Sequence, residues 1–485
     1  MAVEAPVSSN GWLDRMYQSW EKLVKDSRSC ITLRKTSATS SREASGSKSA
    51  KDYWKDFIGC DDRELSLQSL TVAHASQVMY AASGESISVF LPYINQQLGG
   101  DVHSFATLQA ATATIQVVGG VAIGTLQDRI GPKAILLLTH FSSLASAALL
   151  ASARSWNALL FNVFPAVTLH GFQAASQVAV LCSKPESRAV ALGRIAMAYS
   201  VGWLGGSVML AWVAKRFDPH RVLFMLAGAE VVAVVAIAVA YPSVDYAASR
   251  CEASLRPEME EISTTQPVSV WTALSRVAQV PGVVPRLFFK TGISICGGLV
   301  CCMIPQYALD PFGFSPSQTS LLMSMLSTIQ LVVQGVVVPQ LGTPSLRTLQ
   351  IATTALLSLP LLGLAMSPTS GASFVLWVAP ISVGWSAVNM ALNSSISCLL
   401  PEELAGTSMG ISLAPMSAAF LISPMLGAWL FKVGGFRSIP LVACISMLGV
   451  QAIVELLDIF DHKLDDDTNE IDVVCKEELV SSRTS

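Results

Sequence analysis

Long apolar segments follow one another along most of this 485-residue chain, and they limit its fold more than any other feature. A helix of about 20 apolar residues is long enough to cross a bilayer. Because helices satisfy their own backbone hydrogen bonds in lipid, we predict an all-α membrane protein with twelve transmembrane helices, called segments 1 to 12. The segments are 67–93, 104–126, 134–153, 157–181, 189–213, 222–241, 286–309, 317–339, 347–366, 372–399, 405–431 and 438–458.

The composition agrees with a membrane protein and argues against several other classes. Only 13% of the residues are charged, whereas soluble domains have about 25%. The sequence has no G-x-x-x-x-G-K-[ST] phosphate loop, no Cys-x-x-Cys pair and no nucleophile–base constellation. We therefore expect no enzymatic activity, no metal, no cofactor and no nucleic-acid partner.

The polar stretches divide the chain into five predicted regions. An even number of crossings places both tails on one side, and the excess of Lys and Arg there predicts that both are cytosolic. Apolar residues at helical spacing in the first tail predict an amphipathic helix, which a Ser-rich linker follows. The regions are an N-terminal tail at 1–64, a six-helix bundle at 65–241, a central loop at 242–284, a second bundle at 285–458 and an acidic tail at 459–485.

The two groups of six segments echo each other in sequence. Thr114-Ile-Gln116 in segment 2 returns as Thr328-Ile-Gln330 in segment 8, and Cys182-x-x-Pro-Glu186 returns as Cys398-x-x-Pro-Glu402. Pseudo-symmetric halves of this kind are used by transporters that expose a central site to either face in turn. We therefore predict two pseudo-symmetric six-helix bundles.

A short charged connection joins segments 2 and 3. It reads Gly-Thr-Leu-Gln-Asp-Arg-Ile-Gly-Pro-Lys and resembles the G-x-x-x-D-[RK]-x-G-[RK]-[RK] signature of the major facilitator superfamily. The resemblance implies that this motif gates the transporter and that its acid meets the positive N-terminal end of segment 11. The matching residues are Gly124, Asp128, Arg129, Gly131 and Lys133.

Segment 5 carries a glycine pattern that is similar to a motif of proton-coupled drug antiporters. Other stretches resemble organic cation transporter-like members of the superfamily, which implies export of organic cations or drugs in exchange for protons. One departure is that segment 4 lacks the arginine that such antiporters use for proton coupling. The glycines are Gly193, Gly202, Gly205 and Gly206.

In this family segments 1, 4, 7 and 10 line the cavity, so their polar residues are candidates for binding. A charge in hydrocarbon costs at least about 2.5–3.5 kcal/mol, which makes Glu85 in segment 1 a candidate for binding a solute or a proton. His170 in segment 4 could replace the missing arginine, because histidine titrates near neutral pH. Idle or structural roles remain open for both. Two further candidates are aromatic residues that could stack on a flat or cationic ligand, Trp203 and Trp385. The remaining candidates are amides, which could equally bond helix to helix: Gln116, Gln330, Asn389 and Asn393.

Four further charged residues are expected outside the solute site. Lys290 and Arg194 lie near the predicted cytosolic ends of their segments, where snorkelling of their long side chains is the expected role and a role in the cavity is the alternative. Glu230 and Glu455 lie on outer segments, where pairing with a neighbouring group or an interfacial position is the expected role.

These features predict a secondary active transporter that works by alternating access in the bilayer, as a monomer, on small organic solutes, by proton antiport. Two alternatives remain open. One is a facilitator or symporter of another solute, and the other is a degenerate facilitator fold that serves as a membrane scaffold or receptor. The sequence leaves open whether the membrane is the plasma membrane or an endomembrane.

We predict that Asp128→Asn slows solute exchange several-fold and leaves folding intact. A carboxylate at a helix N-terminus is stabilised by about 0.3–1 kcal/mol, which is enough to bias a two-state equilibrium. The exchange rate in reconstituted vesicles is the measurement, with thermal unfolding as the check on folding. An unchanged rate would remove Asp128 from the gating mechanism.

Overall fold

The computed structural model describes residues 64–183, 188–242, 279–280, 282–337, 346–367, 370–399 and 405–456. The chain divides into two compact units, 1–57 and 58–485, and the described residues belong to the second. The predicted amphipathic helix, the Ser-rich linker, most of the central loop and the acidic tail lie outside the described residues.

Every regular element within the described ranges is helical, which confirms the all-α prediction. Eight helical stretches of the described part of the chain are long and apolar enough to cross a membrane, and the count of twelve crossings stays a prediction. The elements are α1 (Glu64–Gln97), α2 (Val102–Ile130), α3 (Pro132–Ser152), α4 (Trp156–Leu160), a 3-10 helix (Phe161–Thr168), α5 (Gly171–Cys182), α6 (Arg188–Val213), α7 (Pro219–Ala240), α8 (Val283–Cys301), α9 (Ile304–Leu309), α10 (Pro316–Val332), a π-helix (Val333–Val337), α11 (Leu346–Met366), α12 (Gly371–Leu399), α13 (Ala405–Gly434) and α14 (Ser438–Leu456).

Segment 4 is broken, although the sequence predicts one continuous helix there. The short α4 passes into a 3-10 helix that contains Pro165, and α5 begins only at Gly171. Proline has no N–H and its ring clashes with the carbonyl one turn earlier, so it interrupts an α-helix. Segment 7 is also divided, and α9 restarts with Pro305 in its first turn, where proline is tolerated.

Two glycines of α6 allow this helix to lie directly against α1. A Cβ at Gly202 would lie 2.2 Å from the Val78 carbonyl oxygen, and one at Gly206 would lie 2.7 Å from Ala82 Cα. Glycines four residues apart lie on the same face of a helix, so together they form a groove for the α1 backbone. A Cβ at Gly193 or at Gly205 would meet no other heavy atom within 4 Å. Half of the predicted glycine motif therefore serves helix packing.

The helices of the first bundle contact those of the second through α6 against α10 and α2 against α13. Hydrogen bonds join the two sets where α1 ends, which we call the Tyr93 end. The Tyr93 hydroxyl donates to Phe314 O at 2.8 Å and lies 2.6 Å from Thr319 Oγ1. Ser317 Oγ donates to Ala211 O at 2.7 Å. The two sets of helices are therefore bonded together at this end.

We predict that Gly202→Ala destabilises the protein by about 1–3 kcal/mol, the usual cost of overpacking. Gly205→Ala is the matched control, because its Cβ meets nothing within 4 Å and alanine favours a helix by up to about 1 kcal/mol. Thermal unfolding in detergent measures both variants. Equal effects would show that the close approach of α1 and α6 has no energetic weight.

A second prediction concerns the bonds at the Tyr93 end. Tyr93→Phe removes the hydroxyl between Phe314 and Thr319, and a hydrogen bond contributes about 1 kcal/mol. We expect the ratio of closed to open forms at this end to fall about fivefold. Spin labels at the exposed positions Gln96 and Asp310 would report a larger population at long distance.

Tyr307→Phe is the control for that measurement. Its hydroxyl donates to Leu299 O at 3.2 Å, and both groups belong to the second bundle. The distance distribution should be unchanged by Tyr307→Phe. A shift of equal size in both variants would contradict a specific role for Tyr93.

Candidate functional site

Glu85 is buried in the middle of α1 and faces α6. Its side chain is 2% exposed, and Oε1 lies 3.1 Å from Ser207 Oγ. Oε2 has no hydrogen-bond partner among the described residues. An acid at this depth is costly unless it is paired, wetted or protonated. The geometry leaves one carboxyl oxygen available to a ligand or a proton.

The hydrogen bonds of Ser207 indicate which form of Glu85 fits best. Ser207 Oγ lies 2.9 Å from the Trp203 carbonyl oxygen as well as 3.1 Å from Glu85. A hydroxyl has one proton and can accept as well as donate. If Ser207 donates to the carbonyl, it can accept a bond from a protonated Glu85. The site therefore satisfies a neutral carboxylic acid without rearrangement.

Aromatic side chains lie next to this acid. Tyr199 and Trp203 pack edge to face with ring centroids 5.6 Å apart, and Phe172 packs on Tyr199 at 6.0 Å. Tyr199 also interacts electrostatically with Glu85. The Trp203 Nε1 group is buried and has no hydrogen-bond partner in the described part of the chain. Aromatic faces beside an acid favour a flat or cationic ligand.

His170 lies at the break between the 3-10 helix and α5. Its Nε2 atom is buried without a partner among the residues described, and the backbone of Gln116 hydrogen-bonds to its ring. A Cβ at Gly120 would lie 3.3 Å from His170 Cε1, so the glycine leaves room for the ring. The structure thus brings Gln116 and His170 together, although through the Gln116 backbone.

The candidates of the second bundle are occupied mainly in packing. Trp385 covers Gly297, where a Cβ would lie 2.0 Å from the indole. Asn389 donates to the Trp385 carbonyl oxygen at 2.9 Å, and Gln330 is half-buried near the end of α10. The side chain of Asn393 lies outside the described atoms. In the described structure, therefore, Trp385 makes a helix–helix contact with Gly297 of α8, and Asn389 bonds within its own helix α12.

The residues of the predicted gating motif span the end of α2, the junction at Gly131 and the start of α3. Gly131 has φ 82° and ends one helix and begins the next, a conformation that favours glycine. Lys133 Nζ donates to Tyr241 O at 2.8 Å, so it binds the carbonyl end of α7. The side chains of Asp128 and Arg129 are not described, and no contact is assigned to Gly124. Their gating role stays a prediction.

A buried, hydrogen-bonded pair of a histidine and a glutamate is the main feature that the sequence did not predict. His140 Nδ1 lies 2.6 Å from Glu230 Oε2, and both side chains are at most 1% exposed. The pairing expected for Glu230 is confirmed, but its partner went unnoticed. The available signal was a single titratable residue inside the apolar segment 134–153. The snorkelling expected for Lys290 was wrong, since this residue is buried, with 2% of its surface exposed.

The sequence of the chain is similar to the sequences of known solute carriers. The chain is similar to human solute carrier family 67 member A1, with 27% identity over 352 residues that cover 71% of this chain and 82% of the relative. Mouse solute carrier family 22 member 18 is 26% identical over 355 residues, which cover 71% of this chain and 85% of that protein.

A solved structure shares the fold. The bacterial homologue of the human lysosomal transporter Spinster superposes with a TM-score of 0.62 at 12% identity and covers 82% of this chain and 97% of its own. The family model of the Major Facilitator Superfamily matches residues 74–414. The chain therefore belongs to the Major Facilitator Superfamily of multi-pass membrane transporters.

Proposed function

We propose that the protein is a secondary active transporter that exchanges small organic cations for protons by alternating access. The observation that carries this proposal is the carboxyl group of Glu85, which is buried in α1 with one oxygen unpartnered in the described structure. In this proposal the transporter consists of the two predicted six-helix bundles, 65–241 and 285–458, and both of its tails lie in the cytosol.

Recognition of a cation follows from the groups around that carboxyl. A carboxylate supplies the countercharge, and the Tyr199–Trp203 pair supplies aromatic surface. A cation over an aromatic face gains about 0.5–2 kcal/mol. In a site from which water is excluded, the attraction between opposite charges is also stronger than in water. A flat, singly charged organic cation fits this combination best.

Exchange follows because a proton and a cation compete for the same carboxyl group. In the empty site a protonated Glu85 is satisfied by Ser207, which in turn donates to Trp203 O. A bound cation replaces the proton and leaves the site with the same net charge. Neither the empty, negatively charged site nor a site that holds both a proton and a cation, with net charge plus one, is favourable at this depth. The carrier therefore changes between its inward-facing and outward-facing forms only when either a proton or a cation is bound at Glu85.

The bonds at the Tyr93 end supply one side of the alternating cycle. Tyr93, Phe314 and Thr319 hold the two sets of helices together there, and Asp128 is proposed to act in the same way at the other end. Each closed end excludes the site from one face of the membrane. The names of the two solute carriers given above agree with a transport role.

A facilitator that carries a solute without protons is the second candidate. The specific observation in its favour is that segment 4 has no arginine between Ser155 and Ser183. His170 lies in that region with an unpartnered Nε2 in the described structure and is our proposed substitute. A solute flux that ignores the pH gradient would favour the facilitator.

We predict that Glu85→Gln lowers the affinity for organic cations about tenfold or more, which corresponds to about 1.4 kcal/mol. The measurement is uptake of the flat cation methylphenylpyridinium into proteoliposomes, with and without a pH gradient. The phenylbenzoate anion has the same shape and should not compete with it.

Glu455→Gln is the matched control, because it neutralises a carboxyl group on α14 that accepts from Gln451 at 3.0 Å. Uptake by this variant should match that of the unmodified protein. Unchanged affinity in Glu85→Gln, or competition by phenylbenzoate, would contradict the proposed site.

A further inference from the structure

A second titratable site lies in the first bundle on the other side of α1. We call His140 and Glu230 the dyad, and their Nδ1 and Oε2 atoms lie 2.6 Å apart. Ser143 donates to Glu230 Oε1 at 3.0 Å, and Ser83 also donates to this atom. Ser76 Oγ lies 2.8 Å from His140 Nε2. Helices α1, α3 and α7 all contribute to the cluster.

The dyad lies near the middle of the membrane-spanning helices. Glu230 is the twelfth of 22 residues in α7 and His140 the ninth of 21 in α3. With a rise of 1.5 Å per residue, Glu230 is about 15 Å from either end of its helix. Apolar side chains of similar volume are often at least as stable as a buried ion pair. Helix packing alone therefore does not account for the choice of these residues.

The hydrogen bonds define where a proton can be gained and lost. All three partners of Glu230 can donate to it, which suits the ionised, acceptor-only carboxylate. Ser76 can either accept from a protonated Nε2 or donate to a bare one. The cluster therefore satisfies both forms of His140 by rotation of one hydroxyl. Its net charge changes from zero to minus one when the Nε2 proton leaves.

The groups that α1 places near the dyad do not offset this change in the net charge of the dyad. From α1, Tyr80 interacts electrostatically with Glu230, and its hydroxyl donates to Leu169 O at 2.9 Å. Glu85 lies nine residues from Ser76, which is half a turn out of phase, so it faces α6 instead. His74, also on α1, has its Nδ1 at 2.7 Å from Leu70 O.

The other elements packed against α3 and α7 add no charge at this level. The sequences of α4 and of the 3-10 helix contain no titratable residue, and α5 has only Cys182, its last residue. His170, between the 3-10 helix and α5, places its ring beside Gly120 of α2. The charged and histidine residues of α2 are at its two ends. A dyad enclosed by hydrocarbon therefore keeps its proton, and a dyad reached by water can exchange it.

We infer that the dyad is a second proton-binding site, which carries one proton per transport cycle in addition to the proton exchanged at Glu85. The step is a proton transfer only. His140 Nε2 takes a proton from water on one side, releases it on the other, and Glu230 stays ionised throughout. This inference rests on the proposed function. It predicts two protons per singly charged cation, so transport moves net charge.

The test is the stoichiometry of the full-length protein in proteoliposomes, with methylphenylpyridinium as the probe and the membrane potential clamped at zero. For each unit of pH gradient, two protons per cation sustain about 100-fold accumulation, whereas one proton sustains about 10-fold. We expect the cation to accumulate about 100-fold with the unmodified protein and about 10-fold with Glu230→Gln. The variant should also lose its dependence on membrane potential.

Two further variants separate a proton site from a structural contact. Ser143→Ala removes a donor to the carboxylate but leaves both titratable groups, so it should keep the unmodified stoichiometry. His140→Asn keeps an N–H donor for Glu230 and has no second nitrogen to protonate, so it should behave as Glu230→Gln does. Either variant that reconstitutes suffices for the comparison.

The outcomes distinguish the inference from the proposed function. About 10-fold accumulation by the unmodified protein, or about 100-fold by Glu230→Gln, overturns the inference and leaves the exchange at Glu85 intact. If accumulation by the unmodified protein does not depend on the pH gradient, both the inference and the proposed function are overturned. If neither dyad variant reconstitutes, the voltage dependence of the unmodified protein still decides, because exchange of one proton for one cation moves no net charge.

Discussion

The close contact between α1 and α6 is the interaction on which the candidate site depends. Gly202 and Gly206 have no side chains, so the α1 backbone at Val78 and Ala82 lies directly against them. The next polar residue along α6 is Ser207, and at that spacing it reaches Glu85. The same contact brings Trp203 and Tyr199 beside the acid. Any side chain at Gly202 would separate the helices and remove the hydrogen bond that satisfies the carboxyl group.

A second consequence is that α1 presents polar groups on two faces. Glu85 faces α6, which packs against α10 of the second bundle, whereas Ser76 and Ser83 face the dyad on α3 and α7. Polar groups at this depth have no water to bond with, so each one must keep its partner in the protein. This requirement fixes the rotation of each helix about its own axis. Helix α1 is therefore held in one orientation by bonds on both sides.

The sequence predicts the fold better than it predicts the site, for physical reasons. Membrane crossing depends on length and apolarity, which can be read directly, so the helical architecture and the family were predicted. The break in segment 4 could have been anticipated from Pro165. His140 was visible as the one titratable residue of segment 134–153, but its pairing with Glu230 could not be anticipated, because pairing depends on which faces of α3 and α7 meet. Lys290 was misplaced for the same reason, since the distance along a helix does not tell how neighbouring helices cover it.

The central claim is that a proton and an organic cation compete for the carboxyl group of Glu85. The most direct measurement is calorimetric titration of the purified protein with methylphenylpyridinium in buffers of different ionisation enthalpy, which counts the protons released on binding. We predict the release of about one proton per bound cation and none from Glu85→Gln. Measurable binding to the unmodified protein without proton release would contradict the account.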